Sequence, residues 1–166
     1  MAKIPDRLYI DKETDRELYE ALDNEKMLRF KDNGGHRTRK EQFLFAMSIG
    51  FKNKSKRPLE SKDGFFNLKD LRPEEEALIN AVAIADADSV EVLSKKEDVF
   101  KIAEEYAHAG IKLLVDKIQS TQFGSFDKQF EKELLELYKE LDLDKDGKKD
   151  TTSWTWIPHK NQKQEP

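Results

Sequence analysis

Apolar positions along the chain recur mostly at helical spacing, broken by polar and glycine-containing stretches. After a short extended start at Arg7 to Ile10, Asp11 can cap a helix running to about Asn24, with Leu18 and Leu22 on one face. A loop with Asp32, Asn33, Gly34 and Gly35 follows. Thr38 and Glu41 then form the S/T-x-x-E capping box in front of an apolar run, which starts the second helix near Arg39. Phe43, Leu44, Phe45, Ala46, Met47 and Ile49 leave almost no polar face, so this helix is expected at the centre of the core. Gly50, which can adopt the left-handed conformation, is expected to end it.

Further on, Gly64, Phe65 and Phe66 suggest a turn into a short packed segment. Pro73, followed by Glu74, Glu75 and Glu76, opens a third helix through Ala85 that is apolar apart from Asn80 and so also expected to be buried. Ser94 and Glu97 read as a second capping box, ahead of Val99, Ile102, Ala103 and Tyr106 at helical spacing. Ala107, Ala109 and Gly110 let another helix approach closely, and the apolar pattern fades after Ile118. From Ser125, Phe130, Leu134, Leu137 and Leu141 form a seam like two heptads of a coiled coil, which can close onto the protein's own core or onto a partner helix.

The expected fold is mainly α: a compact multi-helix bundle with a short extended N-terminal segment and a disordered C-terminal tail. Residues 1–144 are expected to form a single helical domain, with a basic part at 26–57 and an acidic C-terminal helix at 125–142. Residues 145–166 are expected to be a flexible tail. A length of 166 residues suffices for one such domain with a real core.

Charge changes the picture more than composition does. Between Lys26 and Arg57 ten Lys and Arg face only Asp32 and Glu41, a net of +8, so the remainder of this −4 chain carries −12. Such a division favours a polyanion or an acidic protein surface at one end. Arg37, Arg39 and Lys40 sit where the free N–H groups and dipole of the second helix already attract an anion. Lys52, Lys54, Lys56 and Arg57 follow its other end, about 17 Å away. The two clusters can therefore touch separate phosphates of one duplex, a sequence-independent and salt-sensitive grip. A solvated lysine-rich surface is the plainer alternative. The order of strand, helix and helix is also that of ribbon-helix-helix DNA binders, but the loop from Asn24 to Arg37 is too long for that motif.

Candidate chemistry is sparse. The absence of cysteine excludes disulfides, a thiolate nucleophile and a cysteine-based zinc site. His36, His108 and His159 have no metal-ligand spacing, and His108 reads as a surface or satisfied core residue. Asp142, Asp144, Asp146 and Gly147 match the first half of a calcium loop, but its last ligand position falls on Ser153 instead of a bidentate Glu, so no metal is expected. Acids beside lysines, as at Glu60 to Lys62, would suit a metal-dependent nuclease, yet arise by chance in a chain this charged. No catalytic residue, cofactor or small-molecule substrate is expected. Trp154 and Trp156 in the polar tail read as a partner-binding anchor, or as a tail folded over its own domain. The N-terminus MAKIPDRLYI lacks the apolar core of a signal peptide, and no stretch approaches the roughly 18 apolar residues that span a bilayer. A cytoplasmic location without membrane contact is expected.

The runs RTRKEQFLFAMSIGFK from Arg37 to Lys52, EEEALINAVAIA from Glu74 to Ala85, and VFKIAEEYAHAGIKLL from Val99 to Leu114 together resemble the family called DNA phosphorothioation-associated protein 4, which accompanies prokaryotic DNA-modification and restriction defence clusters. The resemblance covers about half of the chain and carries no catalytic signature or functional residues. It implies a non-enzymatic accessory subunit of an antiphage defence complex, docked on a large ATPase of the SMC or ABC type. With the basic segment, the expected partners are DNA and/or that ATPase. The alternative is a free-standing DNA-binding regulator.

Overall fold

The computed structural model describes residues 5–24, 38–120 and 126–140. In chain order they form β1 (Arg7–Asp11), α1 (Asp15–Asn24), α2 (Arg39–Lys52), β2 (Lys62–Asn67), α3 (Pro73–Ala87), α4 (Lys96–Ser120) and α5 (Phe126–Glu140), with 3-10 turns at Leu68–Asp70 and Val90–Ser94. The fold is mainly α, with five α-helices and one two-stranded sheet among the described residues. The chain divides into two units, Met1–Phe126 and Asp127–Pro166. The tail and calcium-loop expectations lie outside the described residues.

The capping box at the start of α2 is present as the sequence predicts. The Thr38 hydroxyl accepts the Glu41 N–H at 3.3 Å, and the Glu41 carboxylate accepts the Thr38 N–H at 3.1 Å. Gly50, however, does not end α2. The helix continues to Lys52, Asn53 caps it, Lys54 takes the left-handed conformation with φ 51°, and the Ser55 N–H closes back on the Gly50 carbonyl. Gly50 is needed instead where α2 crosses α4. A Cβ there would lie 2.1 Å from the Tyr106 carbonyl oxygen, and one on Gly110 would lie 1.8 Å from that of Ala46. The two backbones meet directly, which bears out the close-approach reading of Gly110. Phe43, Met47, Ile79, Ile111 and Leu114 fill the surrounding core, each contributing about 1.5–3 kcal/mol by leaving water.

β1 and β2 pair antiparallel, with Leu8 opposite Phe66, Ile10 opposite Asp63 and a bulge between Leu8 and Tyr9. Gly64 to Phe66 is thus strand, not the expected turn. Alternation drives Leu8 and Ile10 into the core. The other edge of β1 is closed by side chains: the Tyr9 N–H donates to Glu104 and the Asp11 N–H to Asp15.

Asp11 ends β1 and caps the turn at residues 12–14 that leads into α1, which begins at Asp15, a little later than the sequence suggests. Its carboxylate accepts N–H bonds from Glu13 and Thr14 on one side and from Glu60 and Ser61 on the other. Burial pushes this carboxyl's pKa up, but those backbone bonds outweigh it and hold it well below the usual range. One turn on, Asp15 accepts His108 Nδ1 at 2.8 Å, tying α1 to α4 with both side chains almost wholly buried. His108 is therefore a satisfied core residue.

Lys96 lies 3.7 Å from Glu76, and the Tyr106 hydroxyl donates to Asp86 at 2.7 Å. The same offset of twenty residues at both ends means that α3 and α4 run parallel, so residues 88–95 return alongside them. Ser94 does not cap α4, because its hydroxyl donates to the Glu91 carbonyl within the returning segment. Nor is α3 buried all round. Ile79, Val82 and Ala83 face inward, but its neighbours cover only part of its circumference and Leu78 is 41% exposed. In the second unit, α5 carries Leu134 and Leu135 exposed and Phe130 and Leu137 half-buried.

Candidate nucleic-acid interface

The cations that the sequence groups into one basic segment divide into two kinds. Lys40, in the first turn of α2, pairs with Glu75 at 2.8 Å and donates to the Asp70 carbonyl at 2.9 Å. Lys56, beyond the other end of α2, pairs with Asp86 at 2.8 Å and lies over the Tyr106 ring. These two lysines do not stand free for an anion, as the sequence reading expects. They fasten α3 near both of its ends. Two carboxylates already hold them because α3 packs its Glu75 and Asp86 toward α2 and the segment after it.

The chemistry of both fasteners is strong. Burial pushes the Glu75 pKa up, but the Arg72 N–H, Lys40 and the Arg72 guanidinium together bring it down to about 2. At Asp86 burial again opposes, while Lys56 and the Tyr106 hydroxyl lower the pKa. Tyr106 itself is pushed up to about 12 by burial and by donating to that carboxylate. Because the folded Glu75 pKa lies below its ordinary 4.5, its contribution to stability is complete above about pH 4.5 and is lost as pH falls toward 2. Glu75→Gln should lower stability by about 2 kcal/mol at neutral pH. Urea midpoints measured from pH 7 to pH 2.5 should converge for the two proteins as pH falls; a constant gap would refute the assignment.

Arg39, Lys54 and Arg57 make no ion pair among the described residues, and all three are exposed. The Arg39 guanidinium lies 5.6 Å over the Phe65 ring, which itself packs on Tyr19. That stacking orients the guanidinium without neutralising it. Lys54 takes its direction from its left-handed backbone, and the Arg57 N–H is anchored to the Glu105 carbonyl of α4. Thirteen helical steps separate Arg39 from Lys52 at the end of α2, about 20 Å. Lys52 is exposed on the last turn. Arg37, with Lys26, Arg29 and Lys31 before it, lies outside the described residues, as do Trp154 and Trp156.

Beside Arg39, a cleft of about 200 Å³ opens between α1, α2 and β2, with Arg16, Glu20 and Asp63 on its walls. Arg16 is bonded to Asp63, so the cleft carries as many acids as bases. The Asp15–His108 pair has the geometry of a base and its orienting acid, but both side chains are at most 2% exposed, too deep to meet a substrate. Among the described residues no group of three or more His, Asp or Glu could hold a metal ion, and no helix is long and apolar enough to cross a membrane.

Glu75 and Asp86 are the functional neighbours that sequence reasoning missed. Asp86 carries a faint signal, as the one charge in the apolar stretch Ala81 to Ala87. The family model described as DNA sulphur modification system-associated protein 4 matches residues 10–152, a span that contains all three runs on which the resemblance rests. No curated protein and no solved structure matches the chain.

Proposed function

The chain belongs to the family of DNA sulphur modification system-associated protein 4, and on that premise we propose that it is a non-enzymatic, cytoplasmic accessory subunit that holds the DNA backbone. The observation that carries this reading is the pair of unneutralised cationic positions bracketing α2: Arg39 at its start, and Lys54 and Arg57 past its end. Lys54 follows the end of α2, about 20 Å along the helix from Arg39, while Arg57 turns back beside Glu105 of α4; the two ends of the helix thus reach different phosphates. With both ends assigned to phosphates, which carry no base information, the grip is sequence-independent.

Each phosphate contact contributes about 0.9 to the slope of log K against log salt. Titrating a fluorescent 30-base-pair duplex at several salt concentrations should give steep dependence for the wild type. Arg39→Ala, Lys54→Ala and Arg57→Ala together should reduce the slope by about 2 to 3. Neutralising Lys40 and Lys56 should instead reduce stability. No binding at 50 mM salt, or an unchanged slope in the triple variant, would remove the DNA reading and leave an acidic protein surface, such as that of an ATPase subunit, as the partner of these cations. Co-purification with the other components of the system separates the accessory subunit from a free-standing DNA-binding regulator.

A further inference from the structure

The two strands do not keep step. Leu8 and Ile10 lie two apart on β1 and both enter the core, but their partners Phe66 and Asp63 lie three apart on β2. Phe65 is the residue left over: Tyr9 faces Gly64, Leu8 faces Phe66, and no residue of β1 faces Phe65. In an unbroken strand, neighbours point to opposite faces, so Phe65 and Phe66 could not both meet one helix. Here they do. The Phe66 ring packs edge-on against Phe43 of α2, and the guanidinium of Arg39, one turn earlier on the same helix, lies 5.6 Å over the Phe65 ring. Tyr19 of α1, itself buried, backs Phe65 with ring centroids 4.5 Å apart. A bulge interrupts the ladder, and it recurs in sheets where a side chain has to be re-aimed.

We infer that Phe65, set out of register by the bulge, is the positioning residue of the DNA grip: it holds the Arg39 guanidinium in place to give two N–H groups to the oxygens of one phosphate. An arginine side chain loose in water has to be ordered when it binds, and over the ring part of that ordering is complete before DNA arrives. The ring carries no charge, so it orients the cation and leaves it whole for the phosphate. Lys40, the next residue, shows the contrast, since Glu75 and the Asp70 carbonyl already hold it. Among the described residues, neither Lys54 nor Arg57 rests on a ring. Phe65 acts only through Arg39, so its role rests on the DNA reading above.

The salt titration of duplex DNA tests the two separately. Phe65→Leu should lower affinity about two- to fivefold at every salt concentration, with the slope of log K against log salt unchanged because no charge is removed. Phe65→Tyr, which keeps the ring, should bind as the wild type does. In an Arg39→Ala background Phe65→Leu should have no further effect, which a general loosening of the fold would not give. Arg39→Lys keeps the charge and should weaken binding without changing the slope. Arg39 is exposed, so this variant remains informative even where Phe65→Leu does not fold. An affinity unmoved by Phe65→Leu, an equal loss with Arg39 removed, a Phe65→Tyr protein as weak as Phe65→Leu, or an Arg39→Lys protein as tight as the wild type would each overturn the role of Phe65 and leave the grip standing. A wild type that does not bind the duplex removes the grip and this role with it.

Discussion

Gly110→Ala is expected to destabilise the protein by about 3 kcal/mol or more, the upper range for forcing volume into a packed core. The added methyl would lie 1.8 Å from the Ala46 carbonyl oxygen and 2.7 Å from the Gly50 nitrogen. Both are backbone atoms inside α2, so no rotamer change can make room. Relief requires the two helices to separate, which loosens Phe43, Met47, Ile111 and Leu114 together. The urea midpoint followed by circular dichroism measures the effect, with Lys112→Ala on the exposed side of α4 as a control expected within about 0.5 kcal/mol. A Gly110→Ala protein as stable as the wild type would mean that the helices do not cross at this point.

Asp15→Ala should cost about 3–5 kcal/mol, the penalty for leaving one member of a buried polar pair without the other. The substitution removes both contacts to His108 Nδ1 and the acceptor for the Asp11 N–H. It also disturbs the junction where Asp11 gathers four backbone N–H groups. Replacing His108 and Asp15 together by Leu should cost less than Asp15→Ala alone, because no imidazole is then buried without its partner. Thermal denaturation of the two variants gives the comparison. A double variant less stable than the single one would point to a net attraction larger than the desolvation it offsets.

What the sequence revealed was decided locally. Thr38 and Glu41 are three residues apart, so the capping box forms wherever a helix starts there, and it does. The apolar run behind it needs only a core to enter. Gly50 shows the opposite case: its local signal is a helix stop, but the contact that makes glycine necessary comes from Tyr106, more than fifty residues later. Asp11 keeps the local bonds of a cap, to the Glu13 and Thr14 N–H groups, but also gathers those of Glu60 and Ser61 about fifty residues on, which no local pattern announces; Ser94 turns instead to Glu91, three residues back.

The same division runs through the candidate interface. Nothing around Lys40 distinguishes it from Arg39, its neighbour in the sequence. Only the arrival of α3 makes one a fastener and leaves the other unpaired, and likewise for Lys56 beside Arg57. Charge alone could locate the segment; it could not say which of its cations are already held. The family was legible in the order of the three runs because order and spacing survive where individual contacts cannot be read.

The bonds that complete β1 and α1 reach far along the chain: Tyr9 to Glu104 and Asp15 to His108 span 95 and 93 residues. During synthesis the first strand and helix therefore emerge long before the surface that receives them. At about 5–20 residues per second, Leu8, Ile10 and Tyr19 wait about 5–20 s before α4 exists to cover them. For that interval β1 and α1 hold apolar side chains without a home, and this part of the fold can close only once α4 has left the ribosome.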